Sequence, residues 1–303
     1  PEEYAWKRDW LADQLLTLDA DVVGFQEIFE EDALRDVVDE TTARGEALNG
    51  SAVPDPSKRY HRRAIFRRLQ VGTYADATLI FAPNVADIGE AGQRRPGLAL
   101  LTRLPVVGQP EILQDFDTAV EVPFAPRRGV DDPDAGVFRL RRLSRPVLKV
   151  RLRAGDHEIT VFNCYLKSKL GEYLVPKDAA FAPEADLTSY DPAGRALGSL
   201  RAGLRRMAEA WVLRREIVKE LNAGRPVIAM GDFNDGQHAV SSEIVSGEAP
   251  FKNYAWMLRH DARHGGDRYS EAEDRQIREA IEAVQLHSAE RLFVRRSLRD
   301  MVY

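Results

Sequence analysis

Apolar positions at helical spacing open the chain: Tyr4, Leu11, Leu15 and Leu18 follow one another at seven, four and three residues and predict an amphipathic helix. The pattern then changes to a short apolar run, Val22-Val23-Gly24-Phe25, which predicts a buried strand ending at Gln26-Glu27-Ile28. Helical spacing returns over 30–39, where Leu34, Val37 and Val38 form the packing stripe. Further on, Leu148, Val150 and Leu152 alternate with Lys149 and Arg151, the pattern of a strand with one wet face. The turn Ala154-Gly155-Asp156 leads into another strand at 158–164, so the pair predicts a hairpin. The longest helix is expected over 198–222, with Leu200, Leu204, Met207, Trp211, Val218 and Leu221 as its core stripe. It stops at Asn222-Ala223-Gly224-Arg225-Pro226, where Gly and Pro end helices, and an apolar strand at 227–230 follows at once. Two stretches, 115–145 and 171–197, are rich in Pro, Asp and Arg without clear periodicity. They predict long connections, of the kind that flank sites and select substrates. No internal repeat is visible.

Three of these strands end in polar chemistry. Val227-Ile228-Ala229-Met230 runs into Gly231-Asp232-Phe233-Asn234-Asp235. If the strand's alternation continues, Asp232 and Asn234 share one side and Phe233 turns toward packing, so two hydrogen-bonding groups converge. A plain turn also uses Gly, Asp and Asn for conformational reasons alone. The strand at 22–28 ends in Glu27, at a sheet rim where sites of α/β proteins lie, and a carboxylate at a buried strand end is costly without a partner such as a cation. The third strand, Ile159 to Leu166, opens into Lys167-Ser168-Lys169, and Cys164 within it reads as a small packing residue rather than a nucleophile.

In this order the three segments resemble the endonuclease/exonuclease/phosphatase superfamily, metal-dependent phosphodiesterases related to DNase I. Gln26-Glu27 is similar to the family's metal-binding Gln-Glu, Tyr165-Leu166-Lys167-Ser168 to its His-Leu-Lys-Ser, and Gly231 to Asn234 to its Gly-Asp-Phe-Asn. Between the first two, the strand Leu98 to Leu101 followed by Thr102-Arg103-Leu104-Pro105 resembles the family's Ser-Arg-x-Pro. The resemblance implies a four-layer α/β/β/α sandwich of two mixed sheets flanked by helices. Three departures stand out: no Asn-bearing strand precedes the first helix, no Asp-His strand follows Arg299-Asp300-Met301-Val302-Tyr303, and Tyr165 stands where most members have His. The chain is therefore expected to be one domain, 1–303, lacking its first and last strands. The competing expectation is a degenerate, non-catalytic scaffold.

Composition changes this picture little. The 303 residues are 44% hydrophobic, ample for one large core, and no apolar run is long enough to span a bilayer. The chain shows no secretory signal pattern, and a single cysteine excludes an internal disulfide framework, which leaves cytoplasmic and secreted locations both open. A monomer is expected. The net charge of −5 speaks against non-specific nucleic-acid binding, but charge is local. Residues 58–69 set Lys58, Arg59, Arg62, Arg63, Arg67 and Arg68 around Tyr60, Ile65, Phe66 and Leu69, either a solvated helix face or a groove for a phosphate backbone. A second basic run, Arg291, Arg295, Arg296 and Arg299, has the same two readings. His260-Asp261-Ala262-Arg263-His264 imitates a zinc-protease helix, yet it carries Asp for the required Glu and runs into Gly265-Gly266. A polar loop is the better reading.

The resemblance implies hydrolysis of a phosphate ester by in-line attack of water. Glu27 is the expected metal ligand, for Mg²⁺ or in its place Mn²⁺ or Ca²⁺, since hard oxygen donors suit these ions. Asp232 would orient and deprotonate the water or pair with the absent histidine, Asn234 would donate to the phosphate, and Tyr165 and Lys167 would contact its non-bridging oxygens. Asp300 would orient the absent histidine. The basic stripe, with Arg62, Arg63, Arg67 and Arg68 as substrate contacts, favours a nucleic-acid substrate. A phosphatase or phosphodiesterase acting on a small molecule or a phospholipid is the alternative.

Overall fold

A computed structural model describes residues 2–51, 71–84, 95–124, 136–188, 190–247, 260–261, 266–267 and 270–289. Two compact units are present: Pro1–Leu113 with Arg145–Cys164 and Ala229–Gly231, and Gln114–Ser144 with Tyr165–Ile228 and Asp232–Tyr303.

In the first unit, helices α1 (Glu2–Leu18) and α2 (Glu31–Ser51) pack together beside a three-stranded antiparallel sheet. Its strands are β1 (Val22–Ile28), β2 (Thr78–Ala82) and β3 (Gly97–Thr102), in the order β1-β3-β2. Strand alternation divides the residues between two faces. Val23 and Phe25 of β1 join Ala99 and Leu101 of β3 against Leu15, Leu34, Val37 and Tyr74. Gly24 and Gln26 face the other way, toward the second sheet, and a Cβ on Gly24 would lie 2.9 Å from Met230 Sδ. With both faces covered, every residue of β3 is buried. Helix α1 buries Ala12, Leu15 and Leu16, but Tyr4 and Leu18 of the expected stripe are exposed, and α2 runs on to Ser51, past the expected end at 39.

The second sheet has the order β4-β5-β6-β7, from β4 (Glu111–Phe124), β5 (Gly136–Ala154), β6 (His157–Tyr165) and β7 (Val227–Asp232). The hairpin expected at 148–164 is present, antiparallel and closed at Ala154 opposite His157. Its wet face is not uniformly wet, because Lys149 is buried with its ammonium 3.0 Å from Glu111. The stretch 115–145 is no simple connection: it holds most of β4 and the first half of β5. Gln114, Phe116, Val120 and Val122 are buried or half-buried in one two-residue phase, broken by exposed Thr118 and hidden by the charges between them.

The second unit is built on α3 (Pro192–Asn222), which packs with α4 (Val240–Ser246). Helix α3 starts before the expected residue 198 because Asp191 caps it, accepting from Ala193 and Gly194 backbone N–H groups, with Pro192 at the first helical position. Its buried line runs through Ala202, Glu209, Ala210, Leu213, Ile217 and Glu220. The expected stripe of Leu200, Leu204, Met207, Trp211, Val218 and Leu221 is thus displaced around the helix; Leu200 is exposed, and Arg215 stacks over the Trp211 ring at 5.0 Å. Among the described residues of 171–191 the regular structure is a turn of 3₁₀ helix, Pro183–Ala185. The strands β8 (His260–Asp261) and β9 (Gly266–Asp267) pair with each other, so His260 starts no zinc-protease helix, and α5 (Glu271–Glu282) follows. Among the described residues no helix is long and apolar enough to cross a membrane. Two sheets with flanking helices make this an α+β fold of the kind the motifs implied.

Candidate active site

The end of β1 is anchored by a residue the sequence reading passed over. Asn163 of β6 is fully buried, and its amide nitrogen donates to the carbonyls of Phe25 (3.1 Å) and Ala99 (2.8 Å). Its Oδ1 accepts from Gln26 Nε2 at 2.7 Å. Buried polar groups cost free energy unless bonded, so this three-way link fixes where Gln26 sits. One residue on, the register slips: Gln26 pairs with Leu98 and Ile28 with Gly97, leaving Glu27 as the extra residue of a bulge with φ +60°. A left-handed conformation at a non-glycine residue costs of order 1–3 kcal/mol and is found where the surroundings enforce it. The bulge re-aims the side chain. Glu27 is exposed, not enclosed at a buried strand end as expected, and it borders a cavity of roughly 300 Å³ lined by Tyr4, Leu11, Phe29, Leu34 and Val37.

The end of β7 bends in a second unusual conformation. Gly231 has φ +122°, and a Cβ there would lie 2.0 Å from the carbonyl oxygen of Cys164. Only glycine fits both conditions. The strand then stops at Asp232, so the alternation that would have carried through to Asn234 does not, and a turn brings the two together instead. Asp232 Oδ1 accepts from the Asn234 backbone N–H at 2.7 Å, and Asn234 has φ +53°. Asn234 Nδ2 donates to the Leu166 carbonyl at 2.9 Å, while Leu166 N–H donates to the Asp232 carbonyl at 3.0 Å. The turn after β7 and the segment after β6 are therefore stitched together.

Of the β6-end residues, Tyr165 is buried at 7% exposure, which leaves little of its phenol for a ligand. Lys167 Nζ donates to the carbonyls of Leu170 (2.9 Å) and Ser168 (3.4 Å). Two further carboxylates, not foreseen as site residues, complete this region. Asp235 pairs with Lys169 (3.0 Å) and Arg206 (3.2 Å) and accepts from Ser241 Oγ (2.7 Å). Partial burial alone would raise its pKa, but Ser241, Lys169 and Arg206 outweigh that and bring it down to about 2. Glu209 of α3 is 2% exposed; its two oxygens accept from the backbone N–H groups of Ser144 (2.8 Å) and Lys167 (2.7 Å), and burial holds its pKa above the usual carboxylate range.

Glu27 thus lies in the first unit, and Asp232, Asn234, Tyr165 and Lys167 lie in the second. Arg62, Arg63, Arg67 and Arg68 fall outside the described residues, as does the run Arg291 to Arg299 with Asp300. Among the described residues no three His, Cys, Asp or Glu side chains cluster tightly enough to hold a metal ion. Exposed Glu27 fits as one oxygen ligand of Mg²⁺, an ion that keeps several waters and takes few carboxylates.

The sequence profile of the Endonuclease/Exonuclease/phosphatase family matches residues 5–244. Three solved structures are similar to the chain. A family protein from Leptotrichia buccalis is 14% identical over 81% of this chain and 67% of its own, with a TM-score of 0.35. An endonuclease/exonuclease/phosphatase from Beutenbergia cavernae is 15% identical over 77% and 43%, with a TM-score of 0.35. Sphingomyelinase C from Streptomyces griseocarneus is 16% identical over 82% and 65%, with a TM-score of 0.37. The match thus covers between 43% and 67% of the length of these three proteins. No curated protein sequence matches. With a family profile running through the segments that carry Glu27, Lys167 and Asp232, the chain belongs to the endonuclease/exonuclease/phosphatase family.

Proposed function

We propose that this chain is the core of a divalent-metal-dependent phosphoester hydrolase. Besides the family match, one observation carries the reading: Glu27, at the motif position the resemblance assigns to metal, is held exposed on a bulge in a conformation that costs energy. A carboxylate with only a packing role has no need of that placement. Glu27 would hold the ion, with Mg²⁺ first and Mn²⁺ or Ca²⁺ as substitutes, and the bound ion would offset charge on the phosphoryl oxygens. Asp232 has one oxygen committed to the Asn234 N–H, and its other oxygen would orient and deprotonate the attacking water. Asn234 spends one amide proton on Leu166, leaving the second to donate to the phosphate in the transition state. Lys167 would contribute positive charge beside it, and Tyr165 the edge of its phenol.

For the substrate, a nuclease is proposed on the strength of the basic stripe at 58–69. A phosphodiesterase acting on a substrate with an apolar group is the second reading, favoured by the cavity beside Glu27. The test is hydrolysis of plasmid, oligonucleotides, bis-p-nitrophenyl phosphate and phospholipid vesicles by the full-length protein with and without Mg²⁺. Glu27→Gln should raise the Mg²⁺ concentration for half-activity by about tenfold or more, and Asp232→Asn should lower kcat by roughly 10²- to 10⁴-fold with KM nearly unchanged. Neutralising Arg62, Arg63, Arg67 and Arg68 should weaken nucleic-acid cleavage and spare the small diester. Unchanged Mg²⁺ dependence in Glu27→Gln would overturn the metal assignment, and a folded wild type inactive on every substrate would overturn the enzyme reading.

A further inference from the structure

The main chain of one residue after β6 is gripped from both sides by a single helix. Glu209 Oε2 accepts from the Lys167 backbone N–H at 2.7 Å, and Arg206 Nη1, one turn earlier on α3, donates to the Lys167 carbonyl at 3.2 Å. Neither side chain is held there by chance exposure: Glu209 is 2% exposed, and the Arg206 side chain 12%. The second oxygen of Glu209 binds the Ser144 N–H, so Lys167 is referenced to β5. Arg206 also pairs with Asp235, which holds Lys169 and Ser241, so the same helix ties the segment after β6 to the turn that carries Asp232 and Asn234. Burying a carboxylate is expensive, and an apolar residue would pack this helix face at less cost. What Glu209 and Arg206 supply and a leucine does not is a fixed place for one peptide group.

We propose that Arg206 and Glu209 are positioning residues: they hold Lys167 and the Asp232–Asp235 turn in register for phosphoester hydrolysis. The proposal rests on the function proposed above. Misplacing a reacting group by about 1 Å costs on the order of 10²-fold in rate. Glu209→Gln keeps size but turns one acceptor into a donor facing an N–H. Arg206→Lys keeps the charge near Asp235 but loses the fork that reaches two acceptors.

The test uses the full-length protein with bis-p-nitrophenyl phosphate and Mg²⁺, together with hydrogen exchange at the backbone amides of 166–170. In both variants kcat should fall about 10- to 100-fold with KM within a few fold, and the Lys167 amide should lose protection while the β3 amides keep theirs. Glu209→Asp, which shortens the reach but keeps the acceptors, should fall between Glu209→Gln and wild type. Should Glu209→Gln not fold, Arg206→Lys carries both measurements. Unchanged exchange at Lys167, or loosened exchange with unchanged kcat, overturns the proposal. A wild type inactive on every substrate fails the hydrolase reading; an active wild type matched by its variants fails this one alone.

Discussion

Gly231→Ala is the sharpest test of how the motif turn is built. At φ +122° an L side chain is strained whatever the space, which costs about 1–3 kcal/mol. The space is also absent: the new Cβ would lie 2.0 Å from Cys164 O, 2.9 Å from Cys164 N and 3.0 Å from Cys164 C, all of them main-chain atoms of β6. No rotamer change relieves such an overlap, so the strands must separate, and overpacking of this kind costs a further 1–3 kcal/mol or so. A combined loss of about 4 kcal/mol is a large share of the roughly 5–15 kcal/mol that holds a domain together. Urea unfolding followed by tryptophan fluorescence and far-UV circular dichroism should show a much lower midpoint with an unchanged slope. The control is Gly203→Ala on α3, where a Cβ meets nothing within 4 Å; it should stabilise by about 0.5–1 kcal/mol. A Gly231→Ala protein within about 0.5 kcal/mol of wild type would refute the reasoning.

Three further outcomes are expected. Asn163→Leu strands two buried carbonyls and the Gln26 amide, so it should cost about 3 kcal/mol or more in the same unfolding assay, although leucine is nearly the same size. The pKa of Asp235 lies at about 2, below its ordinary 3.8, so its stabilisation is full above 3.8 and is lost as pH falls through about 2. With allowance for solvent around its exposed partner Lys169, the Tm gap between wild type and Asp235→Asn should correspond to about 1 kcal/mol at neutral pH and close between pH 4 and 2. At Asn234, with φ +53°, Asn234→Gly avoids the left-handed penalty that Asn234→Ala incurs, so the glycine variant should be the more stable by about 1 kcal/mol. Their kcat values should nevertheless be equally low, since both lose the amide; an active Asn234→Gly would show that the turn needs the conformation and not the side chain.

Much of the fold was legible because burial follows periodicity. The first helix, the strand at 22–28 and the hairpin at 148–164 stand where their apolar spacing put them, although Tyr4 and Leu18 of the α1 stripe are exposed, and the strand at 98–101 stands where the resemblance put it. What escaped was structure whose buried residues are polar. The Gln114, Phe116, Val120 and Val122 alternation of β4 begins with a buried glutamine, and the charges Arg139, Arg141 and Arg142 crowd the strand paired with it, so the stretch reads as a loop. On α3 the buried line includes Glu209 and Glu220, which any hydrophobicity rule assigns to solvent, so the inferred stripe slid onto the neighbouring face. The motif segments themselves were found, but their geometry only in part. Nothing in Gln26-Glu27-Ile28 announces a bulge, whereas at Gly231 to Asn234 the turn was one of two readings open from the residue types, and the structure takes it from Asp232 onward.

These misses share a cause, which bears on function. Periodicity describes residues that relax into the cheapest conformation, whereas Glu27, Gly231 and Asn234 occupy positive φ at the ends of β1 and β7. Each is held there by a specific polar or steric constraint: Asn163 on the residue before Glu27, the Cys164 carbonyl against Gly231, and Leu166 on the Asn234 amide. Strain maintained by dedicated contacts is lost in evolution unless something depends on it, because most substitutions at such contacts would relax the backbone. Among the described residues, two of the three non-glycine residues at positive φ, Glu27 and Asn234, stand in the segments that resemble a phosphoesterase, which argues that the strained geometry there is what those segments exist to present. It also sets the order of dependence. Removing Asn163 should disturb the Glu27 bulge before it disturbs α1 or α2, so amides 26–28 should lose exchange protection in Asn163→Leu at denaturant concentrations where the Leu15, Leu34 and Val37 core is still closed.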